Sequence, residues 1–332
     1  MIPIVDVFVP CYRYGRFLET CVRSILSQEG VKVRVLILDD ASPDETEMVG
    51  RRLERADSRV EYRRHATNRG HIATYNEGIA WATAEYVQLL SADDALTPGS
   101  LARITHVMDS RPDVTLGYGR DVTFTSQLLP AVATGTLEAP YEVIDYRRFL
   151  EMSCDLGHTP IQAPTAVVRN ETQQLVGGFR PEHPHSGDTE IWLRLASFGR
   201  VAVVDADQAF RRLHPASMSC EYSLLGRLEE HKRAFDTHLD EDCPLDDAAS
   251  FRRRVYATLG RQAFWLGSRA FDQGDEQTCD AALALAAALD PTLPSSRSWW
   301  RLDLKRRLGA RAWGMLRPLS ELASRAVLHA RQ

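Results

Sequence analysis

The chain has 332 residues, of which 44% are hydrophobic and 26% are charged. This composition is typical of a soluble globular protein with one large domain and a smaller one. The net charge of -5 argues against a nucleic-acid partner, which would require a basic surface. The six cysteines include no CxxC pair, so we expect reduced thiols and no zinc site. With no signal peptide pattern and no long apolar run, the expected location is cytoplasmic.

Strand-like and helix-like segments alternate over the first 120 residues. The apolar patterns predict strands at residues 4–10, 33–38, 60–63, 86–90 and 114–118. The helical patterns between them cover residues 16–28, 43–56, 70–84 and 98–110. Strict alternation of this kind predicts an α/β fold with a doubly wound, mostly parallel sheet.

The remainder of the chain is less regular and then becomes helical. We expect a strand at residues 163–169, a helix at 191–197, and a pair of strands at 201–204 and 208–213. The pattern from residue 222 onward is helical, so we divide the chain into a larger α/β domain, 1–220, and a helical region, 221–332. Residues 263–291 have the spacing of one tetratricopeptide unit, which predicts a helical hairpin because a single unit cannot form a solenoid.

Adjacent carboxylates follow the strand predicted at residues 86–90. Asp93 and Asp94 stand directly after its apolar residues. Carboxylate oxygens are the ligands that Mg²⁺ and Mn²⁺ prefer, with substrate phosphates commonly completing the shell. A solvated turn would give the same sequence, because Asp is frequent where strands end.

Polar side chains also follow the other predicted strands, and this favours a binding site. Pro10 and Tyr12 end the first strand, Asp39 and Asp40 end the second, and Asn68 precedes a helix. Any one of these acids or amides would also fit a helix cap. Because ligands bind at the carboxyl ends of strands in an open parallel sheet, the group predicts a shared nucleotide and metal pocket.

Several short motifs occur in a characteristic order along the chain. They are Val9-Pro10-x-Tyr12, Leu38-Asp39-Asp40-x-Ser42-x-Asp44, Asn68-x-Gly70, Ala92-Asp93-Asp94, Gly177-Gly178-Phe179-Arg180 and Gly187-Asp188-x-Glu190-x-Trp192. Their order and spacing resemble family 2 inverting glycosyltransferases of the GT-A fold. The resemblance covers roughly the first 215 residues and says nothing of the last hundred.

The resemblance implies a role for each matching residue. The donor, a nucleotide-diphosphate sugar, would contact the residues at the strand ends, namely Pro10, Tyr12, Asp39, Asn68, Ser91, Ala92 and Asp93. Asp93 and His214 would hold a Mn²⁺ or Mg²⁺ ion. Asp188 would be the general base that deprotonates the acceptor hydroxyl, although it also stands where it could cap a helix.

Two positions depart from the family pattern. Ser91 stands where the family commonly has the first Asp of an Asp-x-Asp motif, and a serine supplies no charge for the cation. Gly187 stands where the family usually has Glu before the catalytic Asp. The inferred base therefore remains, but its acidic neighbour does not.

The resemblance implies a metal-dependent inverting glycosyltransferase that uses a UDP-sugar. Its acceptor would be a glycan, a lipid-linked sugar, a natural product or a peptide. A nucleotidyltransferase of related topology is one alternative, although the chain lacks a Gly-rich basic loop after its first strand. A catalytically degenerate binding or scaffold module is another alternative, supported by Ser91 and Gly187.

The end of the chain is strongly basic. Residues 299–332 contain eight Lys or Arg against one Asp and one Glu, together with three tryptophans. This basic tail predicts either peripheral contact with the inner face of an anionic membrane or a helix packed on the main domain with its arginines outward.

Overall fold

The computed structural model describes residues 2–125, 129–130, 139–215, 217 and 222–309. Within these residues nine strands form a single sheet: β1 (Ile4–Cys11), β2 (Lys32–Asp39), β3 (Val60–Arg64), β4 (Tyr86–Leu89), β5 (Ala95–Leu96), β6 (Val114–Phe124), β7 (Tyr141–Ile144), β8 (Val167–Arg169) and β9 (Arg200–Arg212). The helices are α1 (Gly15–Leu26), α2 (Thr46–Ala56), α3 (His71–Trp81), α4 (Ser100–Ser110), α5 (Tyr146–Leu156), α6 (Asn170–Val176), α7 (Gly187–Ala196), α8 (Leu224–Glu241), α9 (Ala248–Asp272), α10 (Glu276–Leu289) and α11 (Arg297–Leu308).

The sheet order is β3-β2-β1-β4-β8-β6-β9-β5, and β7 pairs with β9. The four strands from the first 90 residues are all parallel to one another. Beyond β4 the sheet is mixed, since β8 is antiparallel to both β4 and β6. The predicted α/β class and the parallel arrangement of the first four strands are therefore confirmed. The carboxyl ends of β1, β2 and β4 lie along one edge.

The predicted pair of strands at residues 201–204 and 208–213 is wrong. The structure has one continuous strand, β9, which runs parallel to β6. The register of this pairing shifts after Val204, and the next paired residue is Asp207, so Asp205 and Ala206 between them form a bulge. This bulge interrupts the apolar alternation that would have identified a single strand. The predicted strand at residues 163–169 is also mostly wrong, because it begins as a 3₁₀ turn and only Val167–Arg169 is a strand.

Two helices begin at residues other than the predicted ones. Helix α2 begins at Thr46, later than predicted, because Asp44 accepts a hydrogen bond from the backbone N–H of Thr46 at 3.1 Å. Helix α7 begins at Gly187, earlier than predicted, so that Asp188 lies in its first turn. The amino end of α7 therefore carries the acid that the sequence motifs singled out.

The helical region is attached to the sheet through a common core. Phe235 of α8 and Val255 and Leu259 of α9 are fully buried in the same cluster as Phe149, Leu193 and other residues of the first 220. The far end of α9 instead packs with α10 and α11 in a separate cluster that includes Leu302. Helices α9 and α10 form the predicted hairpin, and a Cβ on Gly267 would lie 3.1 Å from Leu283 Cγ, which shows how closely the two helices approach.

No helix among the described residues is both long and apolar enough to cross a membrane. Residues 310–332, which form most of the basic tail, lie outside the described residues.

The shared core leads to a prediction about domain independence. Replacing Phe235 with Ala removes a fully buried ring, which typically costs about 3–5 kcal/mol. We expect Phe235→Ala to lower the melting temperature of the whole chain in one transition, measured by circular dichroism. Leu302→Ala, in the separate cluster, is the control and should leave the melting of the sheet domain nearly unchanged. If Phe235→Ala melts only part of the helical content, then the two regions unfold independently.

Candidate functional site

A cavity of about 610 Å³ opens at the edge where β1, β2 and β4 end. Its walls come from the residues after these strands, the amino end of α3 and the end of β9: Pro10, Cys11, Tyr12, Arg13, Tyr14, Asp40, Asn68, Gly70, His71, Thr74, Tyr75, Ser91, Asp93, Asp94, Arg211, Arg212, Leu213, Pro215 and Ser217. Five of the seven predicted donor-contacting residues belong to this lining. Folding therefore brings together residues that are far apart in the chain.

Asp93 lies in the cavity and is only 8% exposed. One of its carboxylate oxygens, Oδ2, is 3.0 Å from His214 Nε2. The His214 ring packs against the rings of Tyr14 and Phe17, each with a centroid separation of 5.4 Å. Burial raises the pKa of Asp93, although the hydrogen bond from His214 opposes this change. The two residues assigned to a metal are thus in direct contact.

Asp94 holds the end of β9 against the end of β4. Its Oδ1 accepts a hydrogen bond from the backbone N–H of Arg212 at 2.9 Å, and Arg212 Nε donates to the carbonyl of Asp93 at 3.0 Å. The Arg212 guanidinium lies 4.3 Å from the ring centroids of both Phe17 and Phe124. Burial and the nearby charge of Asp93 raise the pKa of Asp94 well above its usual range. Two adjacent buried carboxylates favour a cation between or beside them.

Asp39 does not line the cavity. Its side chain is fully buried, and it accepts hydrogen bonds from the Tyr62 hydroxyl, the Arg64 guanidinium and the backbone N–H of Ser42. The predicted contact between Asp39 and a nucleoside therefore has no support in the geometry. Asp40, the next residue, is the one that lines the cavity.

Asp40 organises the loop before α3. Its carboxylate accepts hydrogen bonds from His65 Nδ1 at 2.7 Å and from the backbone N–H groups of Arg69 and Gly70 at 2.7 and 2.9 Å. The side-chain amide of Asn68 donates to the Asp40 carbonyl at 3.2 Å. Gly70 has a φ of +83°, which favours glycine, and it precedes the first turn of α3. The Asn68-x-Gly70 motif thus shapes the cavity wall.

The remaining predicted contacts lie at the other strand ends. Pro10, Tyr12 and Ser91 line the cavity, and Tyr12 is 38% exposed with the Arg13 guanidinium 5.0 Å from its ring centroid. Ala92 does not line it, because its side chain is buried in the core on the α1 side of the sheet. A contact from Ala92 to a donor would have to come from its backbone.

Asp188 lies near the cavity but is not part of its lining. Its Oδ1 accepts a hydrogen bond from the backbone N–H of Thr189 at 2.7 Å, so it satisfies one amide of the first turn of α7 without occupying the N-cap position. The side chain is accessible to solvent, yet protein surrounds it on several sides, and this loss of hydration raises its pKa. The geometry is compatible with both predicted roles, the general base and the helix cap.

Tyr75 connects Asp188 to the cavity. Tyr75 lines the cavity, and the centroid of its ring lies 5.2 Å from the ring centroid of Phe179 and 5.5 Å from that of His71. Burial raises the pKa of the Tyr75 hydroxyl, and the charges of Asp188 and Asp93 raise it further. The Tyr75 hydroxyl is therefore coupled electrostatically to both Asp188 and Asp93.

The Gly177-Gly178 motif has a structural role. A Cβ on Gly178 would lie 2.3 Å from Asn76 Oδ1. The Asn76 amide needs that space because it bonds both the N–H and the carbonyl of Phe179, at 2.7 and 2.9 Å. The buried pair of Glu190 and Arg194 then ties α7 to this turn, since Arg194 donates to the carbonyl of Gly178 at 2.8 Å. The motif thus fixes Phe179 and α7 against α3.

The loop between Phe179 and Asp188 contacts the cavity wall. His71 Nε2 lies 2.7 Å from the carbonyl of Pro184, and the His185 ring stacks on Tyr222 at 3.8 Å. His183 is buried and bonds Thr237 at 3.1 Å. In the described part of the chain, no group of three or more His, Cys, Asp or Glu side chains has the geometry of a complete metal site.

Sequence reasoning missed several residues that line the cavity. His71 and Tyr75 face it from α3, and their spacing of four residues just after Asn68-x-Gly70 was the available signal. Arg211 and Arg212 line it from the end of β9, beside the Asp93–Asp94 pair that lies far earlier in the chain. Only the pairing of β5 with β9 makes that proximity visible.

Comparison with known proteins agrees with this geometry. Residues 6–170 match the family described as "Glycosyl transferase family 2". These residues belong to glycosyl transferase family 2. They include β1, β2 and β4 and hence Asp40, Asp93 and Asp94.

Two relatives illustrate the range of the match. An uncharacterized protein of Mycobacterium tuberculosis is 27% identical over 226 residues, which are 63% of this chain and 67% of that protein. An uncharacterized glycosyltransferase of Nostoc sp. is 32% identical over 119 residues, which are 36% of this chain and 37% of that protein. The chain therefore spans little more than a third of this named glycosyltransferase.

Solved structures show that the fold is GT-A. TarS of S. aureus in complex with UDP-GlcNAc superimposes with a TM-score of 0.63 at 15% identity, covering 86% of this chain and 81% of that one. The mannosyltransferase PcManGT from Pyrobaculum calidifontis, in complex with GDP-Man and Mn²⁺, gives a TM-score of 0.57 at 18% identity, covering 100% and 89%. The predicted GT-A fold is thereby confirmed.

The residues present fit a divalent cation that is completed by a substrate. Asp93 and Asp94 are two buried carboxylates with raised pKa values at a cavity surface, and His214 adds an imidazole nitrogen. This donor set is smaller than a full shell of about six ligands, which is usual where substrate phosphates and water complete the coordination of Mg²⁺.

The different positions of Asp39 and Asp40 lead to a prediction. Asp39→Asn removes the charge that Tyr62 and Arg64 hydrogen-bond, so we expect a loss of about 2 kcal/mol in the free energy of unfolding. Donor affinity, measured by calorimetry on the folded variant, should stay within a few-fold of the wild type. Asp40→Asn is the matched comparison and should weaken donor binding at least about tenfold, because it changes a cavity wall. Equal effects of the two variants on donor binding would contradict this distinction.

Proposed function

We propose that this protein is a metal-dependent inverting glycosyltransferase that transfers a sugar from a UDP-sugar to an acceptor hydroxyl. The observation that carries the proposal is one cavity that is lined by Asp93, whose carboxylate contacts His214, and by His71 of α3, which contacts the carbonyl of Pro184 in the loop before Asp188. Membership of residues 6–170 in glycosyl transferase family 2 supports the reaction class. The cytoplasm is the proposed location.

The nucleoside is proposed to bind where β1 and β2 end. Pro10 and Tyr12 provide apolar surface there for a base, and Asp40, not Asp39, provides the acidic wall. Asn68 and Ser91 offer polar side chains for the ribose on either side. The preference for uridine is supported by TarS, which has been crystallised with UDP-GlcNAc, but PcManGT holds GDP-Man in the same fold. GDP-Man is therefore the essential competitor in any donor screen.

Asp93, with His214 behind it, is proposed to hold Mn²⁺ or Mg²⁺ against the diphosphate. When bound, such an ion acts as a Lewis acid that stabilises the charge of the departing nucleoside diphosphate. Arg211 and Arg212 line the same part of the cavity and add positive charge.

Asp188 is proposed to be the general base. A general base must accept the proton of the acceptor hydroxyl, and loss of hydration supports this role because it raises the pKa of Asp188 and makes the carboxylate more basic. Its Oδ1 is held by Thr189, which orients the carboxylate. Attack by the deprotonated hydroxyl from the sugar face opposite the diphosphate would invert the anomeric centre. The loop carrying His185, beside Asp188, is the proposed acceptor side of the site.

The base assignment is tested with Asp188→Asn. This change keeps the shape and the hydrogen bond from Thr189 but removes basicity, so transfer should fall by about two orders of magnitude or more. Donor affinity should stay near normal. Glu182→Gln, which removes an exposed carboxylate from the same loop, is the matched control.

The pH dependence provides a second readout for Asp188. Since the carboxyl pKa is raised, wild-type transfer should decline on acidification at a higher pH than an ordinary aspartate would give. Asp188→Asn should lose this acid limb. If the variant transfers sugar as fast as the wild type, then Asp188 only stabilises the amino end of α7.

The metal assignment is tested with Asp93→Ala. We expect this variant to lose Mn²⁺- or Mg²⁺-dependent donor binding in calorimetry, because the ion loses its main protein carboxylate. Asp94→Ala should have the smaller effect on the metal, since its Oδ1 is already engaged by the N–H of Arg212. Metal-dependent binding that persists in Asp93→Ala would overturn the assignment.

The same measurements separate the rival functions. A nucleotidyltransferase would release pyrophosphate from a nucleoside triphosphate and a sugar phosphate, whereas a glycosyltransferase releases a nucleoside diphosphate from the sugar donor. A scaffold module would bind a donor without turnover in any acceptor mixture. Detection of nucleoside diphosphate released by wild type but not by Asp188→Asn would support the proposed enzyme over both alternatives.

A further inference from the structure

Helix α11 has an inner face that is fixed on the rest of the protein. Leu302 is 3% exposed, and the Trp299 ring stacks on Phe264 of α9 at a centroid separation of 5.7 Å. Lys305 lies 3.8 Å from Asp272, and Arg306 pairs with Asp280 of α10. The position of α11 against the α9–α10 hairpin is therefore set by apolar packing and by ion pairs.

The opposite face of α11 leaves large apolar side chains in solvent. Trp300 is 65% exposed, Leu304 is 41% exposed and Leu308 is 45% exposed. Their spacing of four residues places all three on one side of the helix, in an outer stripe. A stripe of this kind is unusual on a helix whose other face is already packed, because apolar side chains in water contribute nothing to folding.

Basic side chains flank the outer stripe. Arg297 and Arg301 are exposed and stand three residues before Trp300 and Leu304, which puts them on the same side. Arg307 stands three residues after Leu304 and is 77% exposed while it pairs with Asp303. Over its whole length α11 carries five basic residues and one acid. The outer side of the helix is therefore both apolar and positive.

We propose that the outer stripe of α11 is a peripheral membrane-binding surface for anionic lipid headgroups. Trp and Leu side chains on a basic helix are suited to lie at the boundary of headgroups and acyl chains, and each Lys or Arg near such a surface adds attraction. A stable protein interface buries about 800 Å² on each partner, with roughly 20–30 residues a side. Three apolar side chains fall well short of that area, which favours a reversible lipid contact over a protein partner.

The test uses the full-length protein with vesicles of phosphatidylcholine, with and without phosphatidylglycerol. Wild type should co-sediment with the anionic vesicles and detach as salt is raised. The double variant Trp300→Glu/Leu304→Glu should bind at least about tenfold more weakly, and Arg297→Gln/Arg301→Gln should also lose about tenfold. Both variants should keep the melting temperature of wild type, because neither pair touches the inner face.

Two controls test whether binding is specific to the outer stripe. Leu175→Glu changes an apolar side chain that is 70% exposed on α6 and should bind vesicles like wild type. Replacing Arg311, Arg317, Arg325 and Arg331 with Gln in the full chain should leave binding that still depends on Trp300. The proposal is overturned if wild type ignores anionic vesicles at low salt, or if only the second control abolishes binding. The proposal is equally overturned if light scattering shows that wild type is a dimer and that Trp300→Glu/Leu304→Glu is a monomer. The outer stripe would then be a protein interface.

Discussion

The contact between the Asp93–Asp94 turn and the end of β9 is the interaction on which the site depends. Asp94 accepts the backbone N–H of Arg212, Arg212 donates to the Asp93 carbonyl, and His214 meets the Asp93 carboxylate. These three bonds close one side of the cavity. They also join residues 6–170, which match family 2, to residues later in the chain. Without them, the carboxylates would stand at an open strand end with no imidazole or guanidinium beside them.

The burial of Asp93 and Asp94 side by side is costly for the folded protein in the absence of a cation. Two carboxylates that are each less than a tenth exposed repel one another, and burial disfavours their charged forms. Arg212 offsets part of this cost, yet its own charge is also partly desolvated between Phe17 and Phe124. An arrangement that is destabilising alone is expected at a functional site, where stability is exchanged for binding.

The sequence predicted the parallel half of the sheet because its strands are apolar and its helices alternate with them regularly. It did not predict which acid of the Asp39–Asp40 pair faces the cavity. Adjacent residues at a strand end point to opposite faces of the sheet. When only one face is apolar, the alternation of apolar residues shows which residue points to which face. In β2 both faces are buried, with Val35 and Ile37 in one cluster and Leu36 and Leu38 in the other. The apolar pattern therefore carried no information about direction, and only Tyr62 and Arg64 reveal that Asp39 is structural.

Asp188 shows why a helix end and a general base are compatible roles. The positive end of the α7 dipole and the N–H of Thr189 both favour the ionised carboxylate. Loss of hydration has the opposite effect and is the stronger influence, so the pKa is raised. A carboxylate in water is too weak a base to assist a hydroxyl nucleophile efficiently. Partial loss of hydration makes the carboxylate more basic, while the amino end of the helix limits this rise in its pKa. The same hydrogen bond that resembles a cap thus also favours the ionised form and orients the carboxylate that is proposed as the base.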